Sequence, residues 1–308
     1  MSVTILDLNF LDIEPPPLDP GTPGTTVWND GDKGPVAYGA TRDGWHWLRL
    51  AGAGTYRFPI EPLGSTVAAD VVPETGVRRE QVVDSYYRSV VPLALQAYGY
   101  EVLHGSAVAL PRGVVALCAD RETGKSTIAY ALQRRGHAVV ADDSVVLSLP
   151  ASEESAGANG DSDPSSSSRV RVHPLPFALR LRAPTAAHFA LPERKAATVD
   201  GDTPYQPAHA LTLVAIVLLS RDDQRTQDVR LARLDANQAF SSVLAQSHAF
   251  TLVHGDRKRT MMRSYLRLVD RVPVYRLSYP TGLEHLQAIC ELVETLSQRT
   301  EANDSRVV

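Results

Sequence analysis

Residues 113–143 read GVVALCADRETGKSTIAYALQRRGHAVVADD, and the rest of the chain is best read outward from them. An apolar run, Val114 to Cys118, enters a loop that ends Gly124-Lys125-Ser126. Ile128, Ala129, Ala131 and Leu132 then recur at helical spacing, which predicts an amphipathic helix over Ser126–Arg135. Arg134 and Arg135 suit the negative end of the helix dipole, and Gly136 supplies a left-handed cap. A second apolar run, Ala138 to Ala141, predicts a strand that ends in two adjacent carboxylates, Asp142 and Asp143. Strand, GK[ST] loop and helix in that order make a phosphate cradle, because the loop and the first helical turn offer backbone N–H groups and partial positive charge.

The loop residues each suit that chemistry. Asp120, Arg121, Glu122, Thr123, Gly124, Lys125, Ser126 and Thr127 form the candidate nucleotide-binding segment, with the N–H groups of Glu122 to Ser126 wrapping phosphate oxygens. Lys125 is a point charge for the β- and γ-phosphates, and the Ser126 hydroxyl is a ligand for Mg²⁺. Acids at the tip of the next strand are where a Mg²⁺ would be held. The expected cofactors are therefore ATP and Mg²⁺. About 16 residues lie between Lys125 and Asp142, room for one helix and one strand, so both motifs belong to one compact unit. The pattern GxxxxGK[ST] wants glycine at position 119, and this chain has Ala119. If that position needs positive φ, alanine costs about 1 kcal/mol; at ordinary negative φ it is harmless.

With HGSAVAL (104–110) in front of it, this stretch resembles the catalytic core of bacterial HPr serine kinase/phosphorylases. It is similar above all to their HPr-kinase-like relatives found with peptide-maturation genes, such as lasso-peptide tail kinases. The resemblance is densest over 104–143 and continues through VHPLPFALRL (172–181) to VPVYRLSYP (272–280). It implies an α/β (α+β) P-loop kinase core, similar to that of ATP-dependent phosphoenolpyruvate carboxykinase, beside an N-terminal β-rich region. It implies Lys125 and Ser126 as the phosphate-loop lysine and the metal-binding hydroxyl. Of the carboxylates, one acts as base on an acceptor serine and the other holds Mg²⁺; the first, Asp142, takes the base role and Asp143 the metal. His104 matches a histidine near the transferred phosphoryl group. The residues themselves agree in outline. A carboxylate beside a γ-phosphate can accept a hydroxyl proton, and adjacent residues on a strand point to opposite faces, so one of the pair could be purely structural. Two family features are missing. The N-terminal region does not read like the regulatory domain of true HPr kinases, and no basic phosphorylase loop follows near the C-terminus, so neither HPr as acceptor nor reverse phosphorolysis is expected.

Other residues have plainer readings beside the functional ones. His104 enters a strand, where a lone histidine is usually packed or exposed. Arg180 and Arg182 in PLPFALRLRAP could reach phosphates, although an alternating strand also exposes arginines; Arg180 is the candidate taken. His137, next to the glycine cap, is expected to face solvent. Cys118 is expected to be a small core residue. Trp45 and Trp47 alternate with polar residues, as on one face of a sheet.

The chain has 308 residues, enough for one large or two smaller domains. A net charge of −4 and a pI of about 6.1 argue against nucleic acid as a partner. Two cysteines without C-x-x-C spacing, Cys118 and Cys290, fit a reducing compartment and exclude a cysteine-based zinc site. No apolar run approaches the ~20 residues that span a bilayer. The opening MSVTILDLNFLDIEPPPLDP carries acids and no basic region, so a signal peptide is not expected and a cytoplasmic location is.

Three segments are expected. Residues 1–98 form a β-rich region: Pro15–Gly34 as loop or meander, short alternating runs over Pro35–Asp70 as an antiparallel sheet, and an amphipathic bridging helix over Arg78–Tyr98. Residues 99–298 form the kinase-like core, with strands over Leu211–Ser220 and 272–280, and helices over Asn237–His248, Arg257–Asp270 and Leu283–Ser297. The acidic, Ser-rich insert 151–168 is expected to be disordered, and 299–308 to be a flexible tail. Partners expected are a nucleoside triphosphate and a peptide or small-protein acceptor, with self-association into a homo-oligomer left open. A small-molecule kinase on the same fold, and a non-catalytic nucleotide-sensing or precursor-peptide-binding protein, are the competing readings.

Overall fold

The computed structural model describes residues 3–15, 25–29, 35–40, 44–61, 66–150, 169–175, 179–191, 210–221, 228–248 and 255–297. The Ser-rich insert and the tail lie outside the described residues. The chain divides into two units, Met1–Tyr100 with His248–Lys258, and Glu101–Ser247 with Arg259–Val308. The return of 248–258 to the first unit has no signal in the local sequence.

The first unit is built on short strands. β1 (Thr4–Ile5) pairs with β7 (Thr66–Val67). The others are β2 (Asn9–Phe10), β3 (Thr25–Asn29), β4 (Pro35–Ala40), β5 (Trp45–Leu50), β6 (Gly54–Pro59) and β8 (Asp70–Pro73), in a six-stranded sheet of order β2-β8-β6-β5-β4-β3. All its neighbours are antiparallel except β2 and β8. The register explains the alternation in the sequence. Leu48 faces Tyr56 and His46 faces Phe58 on one side, and Trp47 faces Arg57 on the other. On the second side the Arg57 guanidinium lies 4.4 Å from the Trp45 ring and 5.6 Å from that of Trp47, while its Nε bonds Asp70 at 2.7 Å. On the first side Tyr56 and Phe58 are fully buried. The expected helix forms as α1 (Arg79–Ser85), a wider π-helical turn (Tyr86–Val90) and α2 (Val91–Ala97). Pro92 has no N–H and its ring crowds the carbonyl four residues back. The helix absorbs this by widening, with the Val91 N–H bonded to the Tyr86 carbonyl.

The second unit is a mixed sheet with helices against it. Its strands are β9 (Glu101–Leu110), β10 (Gly113–Cys118), β11 (Ala138–Ala141), β12 (Ser144–Ser148), β13 (Arg171–His173), β14 (Leu211–Arg221), β15 (Arg230–Arg233) and β16 (Val274–Tyr279). The helices are α3 (Lys125–Arg134), α4 (Ala183–His188), α5 (Ala236–Ala245), α6 (Gly255–Arg271, of this unit from Arg259 onward) and α7 (Leu286–Thr295). The eight strands follow the order β10-β9-β12-β13-β14-β16-β15, with β11 on β9. β14 also pairs in parallel with β10, so β9, β12, β13, β14 and β10 close a ring. Such a central strand is covered on both faces, which is why β14 reads as the near-continuous apolar run LTLVAIVLL.

The α3 helix lies on this sheet by its predicted stripe. Ile128, Ala129 and Leu132 are buried with Val115, Leu117 and Val217 of the strands and Ile289 and Val293 of α7. Each large aliphatic side chain buried there contributes about 1.5–3 kcal/mol. Gly136 has φ 95, the Gly136 N–H bonds the Gln133 carbonyl and the His137 N–H bonds that of Leu132. The predicted cap is therefore a Schellman motif. His137 does not simply face solvent. Its Nε2 lies 2.8 Å from Glu294 of α7, which also takes a two-pronged bond from Arg135, at 2.8 Å for each prong. These contacts hold the Glu294 carboxyl down at about 2.

Candidate functional site

The topology puts one antiparallel strand between the two motifs. β9 pairs with β10 on one side and with β11 and then β12 on the other. Cys118, the last residue of β10, is registered with Gly105. A Cβ at 105 would sit 2.7 Å from the Leu117 carbonyl oxygen, so the close approach of β10 needs glycine there. On the other side Ala141 is registered with Ala107 and Ser144 with His104. Asp142 and Asp143 thus lie opposite Ser106 and Gly105, in a break between β11 and β12 rather than inside a strand. Asp143 takes left-handed backbone, φ 64. The two carboxylates therefore diverge through a kink, not through simple strand alternation, and aspartate is one of the residues that tolerates it.

Asp142 is the buried member, with 9 % of its surface exposed. Its Oδ1 accepts from Ser106 Oγ at 2.6 Å and from Ser126 Oγ at 3.0 Å, and Oδ2 lies 3.2 Å from the same Ser126 hydroxyl. Ser126 stands in the first turn of α3, so this bond ties the GKS turn to the DD turn. Burial raises the Asp142 carboxyl to about 6, with the neighbouring Asp143 charge adding to it and the two serine hydroxyls opposing it. His104 stands beside the pair, its Nδ1 3.2 Å from the Asp143 carbonyl. Its Nε2 is buried with no hydrogen-bond partner among the described residues. Burial first, and the Lys125 charge second, hold the imidazole below its usual pKa. A neutral ring donating from Nδ1 leaves Nε2 as an unsatisfied acceptor.

The loop between β10 and α3 is closed by its own lysine. Lys125 Nζ donates to the carbonyls of Ala119 at 2.8 Å and Asp120 at 2.9 Å, and burial lowers its pKa while the nearby aspartates pull the other way. Left-handed backbone falls at Glu122, φ 69, and Gly124, φ 108, and not at Ala119. The Thr123 hydroxyl bonds the Asp120 carbonyl at 3.0 Å, and Tyr279 at the end of β16 donates its hydroxyl to the Thr123 carbonyl. Gln246 Nε2 lies 3.4 Å from Asp120 Oδ1. Thr127 and Thr185 of α4 bring their hydroxyls to 3.4 Å. The Glu122 carboxylate pairs with Arg182. Arg121 and Arg180 are exposed.

The fold thus gathers His104, Lys125, Ser126, Asp142 and Asp143, and Arg182 meets the loop tip through Glu122. Sequence reasoning passed over Ser106 and Tyr279. Ser106 had a signal, since it stands two residues from His104 on one strand and so shares its face. Tyr279 had none, because only the pairing of β14 with β16 brings it to the loop.

Among the described residues no group of three or more His, Cys, Asp or Glu could hold a metal. Ser126 and Asp142 do fit Mg²⁺, which takes oxygen ligands, commonly one or two from protein, with phosphates and water completing its shell.

No protein-family model matches the chain, and no curated protein matches it. Among solved structures the chain is similar to the HPr(Ser) kinase/phosphatase from Coxiella burnetii, over 64% of this chain and 93% of that one, at 13% identity and a TM-score of 0.28. That likeness is distant. The structure itself defines a mixed α/β chain. No helix among the described residues is long and apolar enough to cross a membrane.

Proposed function

We propose that this chain is a kinase that moves the γ-phosphoryl group of ATP, with Mg²⁺, to a serine-like hydroxyl on a peptide or small protein. The observation that carries the reading is the hydrogen bond between Ser126 of the GKS turn and the buried Asp142. It joins the hydroxyl and the carboxylate that a phosphate-bound Mg²⁺ would need. When bound, Mg²⁺ would supply charge neutralisation on the β- and γ-oxygens.

The residues divide the remaining work. Lys125 exchanges its bonds to the Ala119 and Asp120 carbonyls for phosphate oxygens, and the N–H groups from Glu122 to Ser126 orient the triphosphate. The shared Ser126 contact favours Asp142 as the metal-side carboxylate. That leaves Asp143, at the kink beside His104, to take the acceptor's hydroxyl proton. This reverses the allocation that the family resemblance implies. The raised pKa of Asp142 would suit a base, but it arises from burial, and a neighbouring cation would bring it down. His104 stands next to Asp143, positioned to steady its turn and to bond a ligand through Nε2.

The test is ATP-dependent phosphorylation of hydroxyl-bearing peptides by the intact chain and by Lys125→Ala. Loss of transfer by about a hundredfold or more is expected, with weaker ATP binding. Wild-type turnover in that variant would sink the phosphate-loop reading.

A further inference from the structure

The loop tip carries an acid where an anion would approach. Glu122 takes left-handed backbone, φ 69, at a non-glycine residue, and its carboxylate is paired with Arg182. Arg221, the last residue of β14, acts on the same carboxylate, and together the arginines hold it below its usual range. The Glu122 and Arg182 side chains are 60% and 66% exposed, so the pair contributes little to stability and exchanges easily. Arg182 itself is well anchored. It directly precedes α4, whose Thr185 is buried and lies 3.4 Å from Thr127 in the first turn of α3.

We propose that Arg182 is a ligand for the terminal phosphates of the bound nucleotide, which Glu122 holds at the mouth of the loop until the triphosphate takes it over. A guanidinium binds phosphate through a planar fork, and a polyphosphate carries more charge than a single carboxylate, so the exchange favours the nucleotide. Glu122 then acts as a competing internal anion. The proposal rests on the phosphate-loop reading above.

A double-mutant cycle tests it. Calorimetric Kd values for ATP, ADP and AMP are measured for the wild type, Arg182→Ala, Glu122→Gln and the double variant, with melting temperatures of each protein without nucleotide. Arg182→Ala is expected to weaken ATP about tenfold or more, ADP less, and AMP not at all, at an unchanged melting temperature. Arg182→Lys, which keeps the charge and loses the fork, should fall between, and stands in if the alanine variant folds poorly. Glu122→Gln should tighten ATP binding severalfold, and the double variant should stay as weak as Arg182→Ala. Wild-type ATP affinity in Arg182→Ala overturns the proposal alone. So does wild-type affinity regained in the double variant, since Arg182 would then only mask the Glu122 charge. A wild-type chain that binds no ATP overturns the phosphate-loop reading and this proposal with it.

Discussion

The two sheets of this protein are stabilised by opposite means. The six-stranded sheet of the first unit relies on large aromatic side chains. Tyr56 and Phe58 are fully buried, Trp47 is 4% exposed, and His46 packs between Tyr38 and Phe58 with ring centroids 5.6 Å and 4.8 Å away. Its buried polar groups are few and its non-glycine backbone is unstrained among the described residues. The eight-stranded sheet of the second unit is closed and aliphatic, yet it buries Lys125, Asp142, Ser106, Ser144 and Glu101. Among the described residues all three non-glycine positions with positive φ, Glu122, Asp143 and Ala190, lie in the turns of this second unit, and the first two border the candidate site. Buried charge and backbone strain each cost stability and persist where surrounding structure enforces them. Both are concentrated in the unit that carries the candidate site. The first unit shows how the same chain folds without that cost.

The sharpest challenge to this contrast is Phe58→Ala. It should cost about 3–5 kcal/mol in the unfolding of the first unit, read by denaturant melts, because the ring touches His46 and Tyr98 and leaves a cavity. A cost under about 1 kcal/mol would show that aromatic burial does not hold that sheet together.

Asp142→Asn probes the second unit. The native carboxyl titrates near 6 against 3.8 in the unfolded chain, so the native state holds the proton more tightly. This group's contribution is fully present below the unfolded value and is lost as pH rises through about 6. The asparagine variant, which can still accept from Ser106 and Ser126, should match the wild type near pH 4. At pH 8 it should be more stable, by up to about 3 kcal/mol. Equal stability at pH 8 would mean the ionised carboxylate is already compensated, and the contrast between the units would weaken. The same variant should also need more Mg²⁺ for transfer; an unchanged Mg²⁺ requirement with lost turnover would return the base role to Asp142.

The smallest effect is expected at Ala119→Gly. Ala119 is buried and does not have positive φ, so glycine relieves nothing and adds unfolded-state entropy. Stability should fall by about 0.5–1 kcal/mol with ATP affinity unchanged. A gain in affinity would reveal a compromised loop and favour a nucleotide-sensing role without catalysis.

Much of the second unit's local structure was legible in the residues. The strand over 114–118, the helix after Lys125, the cap at Gly136 and the strand to Ala141 all carry short-range codes: hydrophobic period, a glycine stop, a GKS turn. The alternation over Pro35–Asp70 likewise foretold an antiparallel sheet, and the buried Cys118 its place in the core. Where the reading fell short the deciding contact was remote. His137 finds Glu294 157 residues away, and Arg182 finds Glu122 across 60 residues.

The sequence alone determined the local elements around the GKS and DD turns, because propensity, periodicity and capping act within a few residues. Tertiary structure alone decided how those turns meet. It placed β9 between the two motifs, brought Ser106 to Asp142 across 36 residues and set Tyr279 on the loop across 156. Such pairings depend on strand order and register, which are chosen by burial summed over the whole unit and leave no mark on any short stretch of the chain.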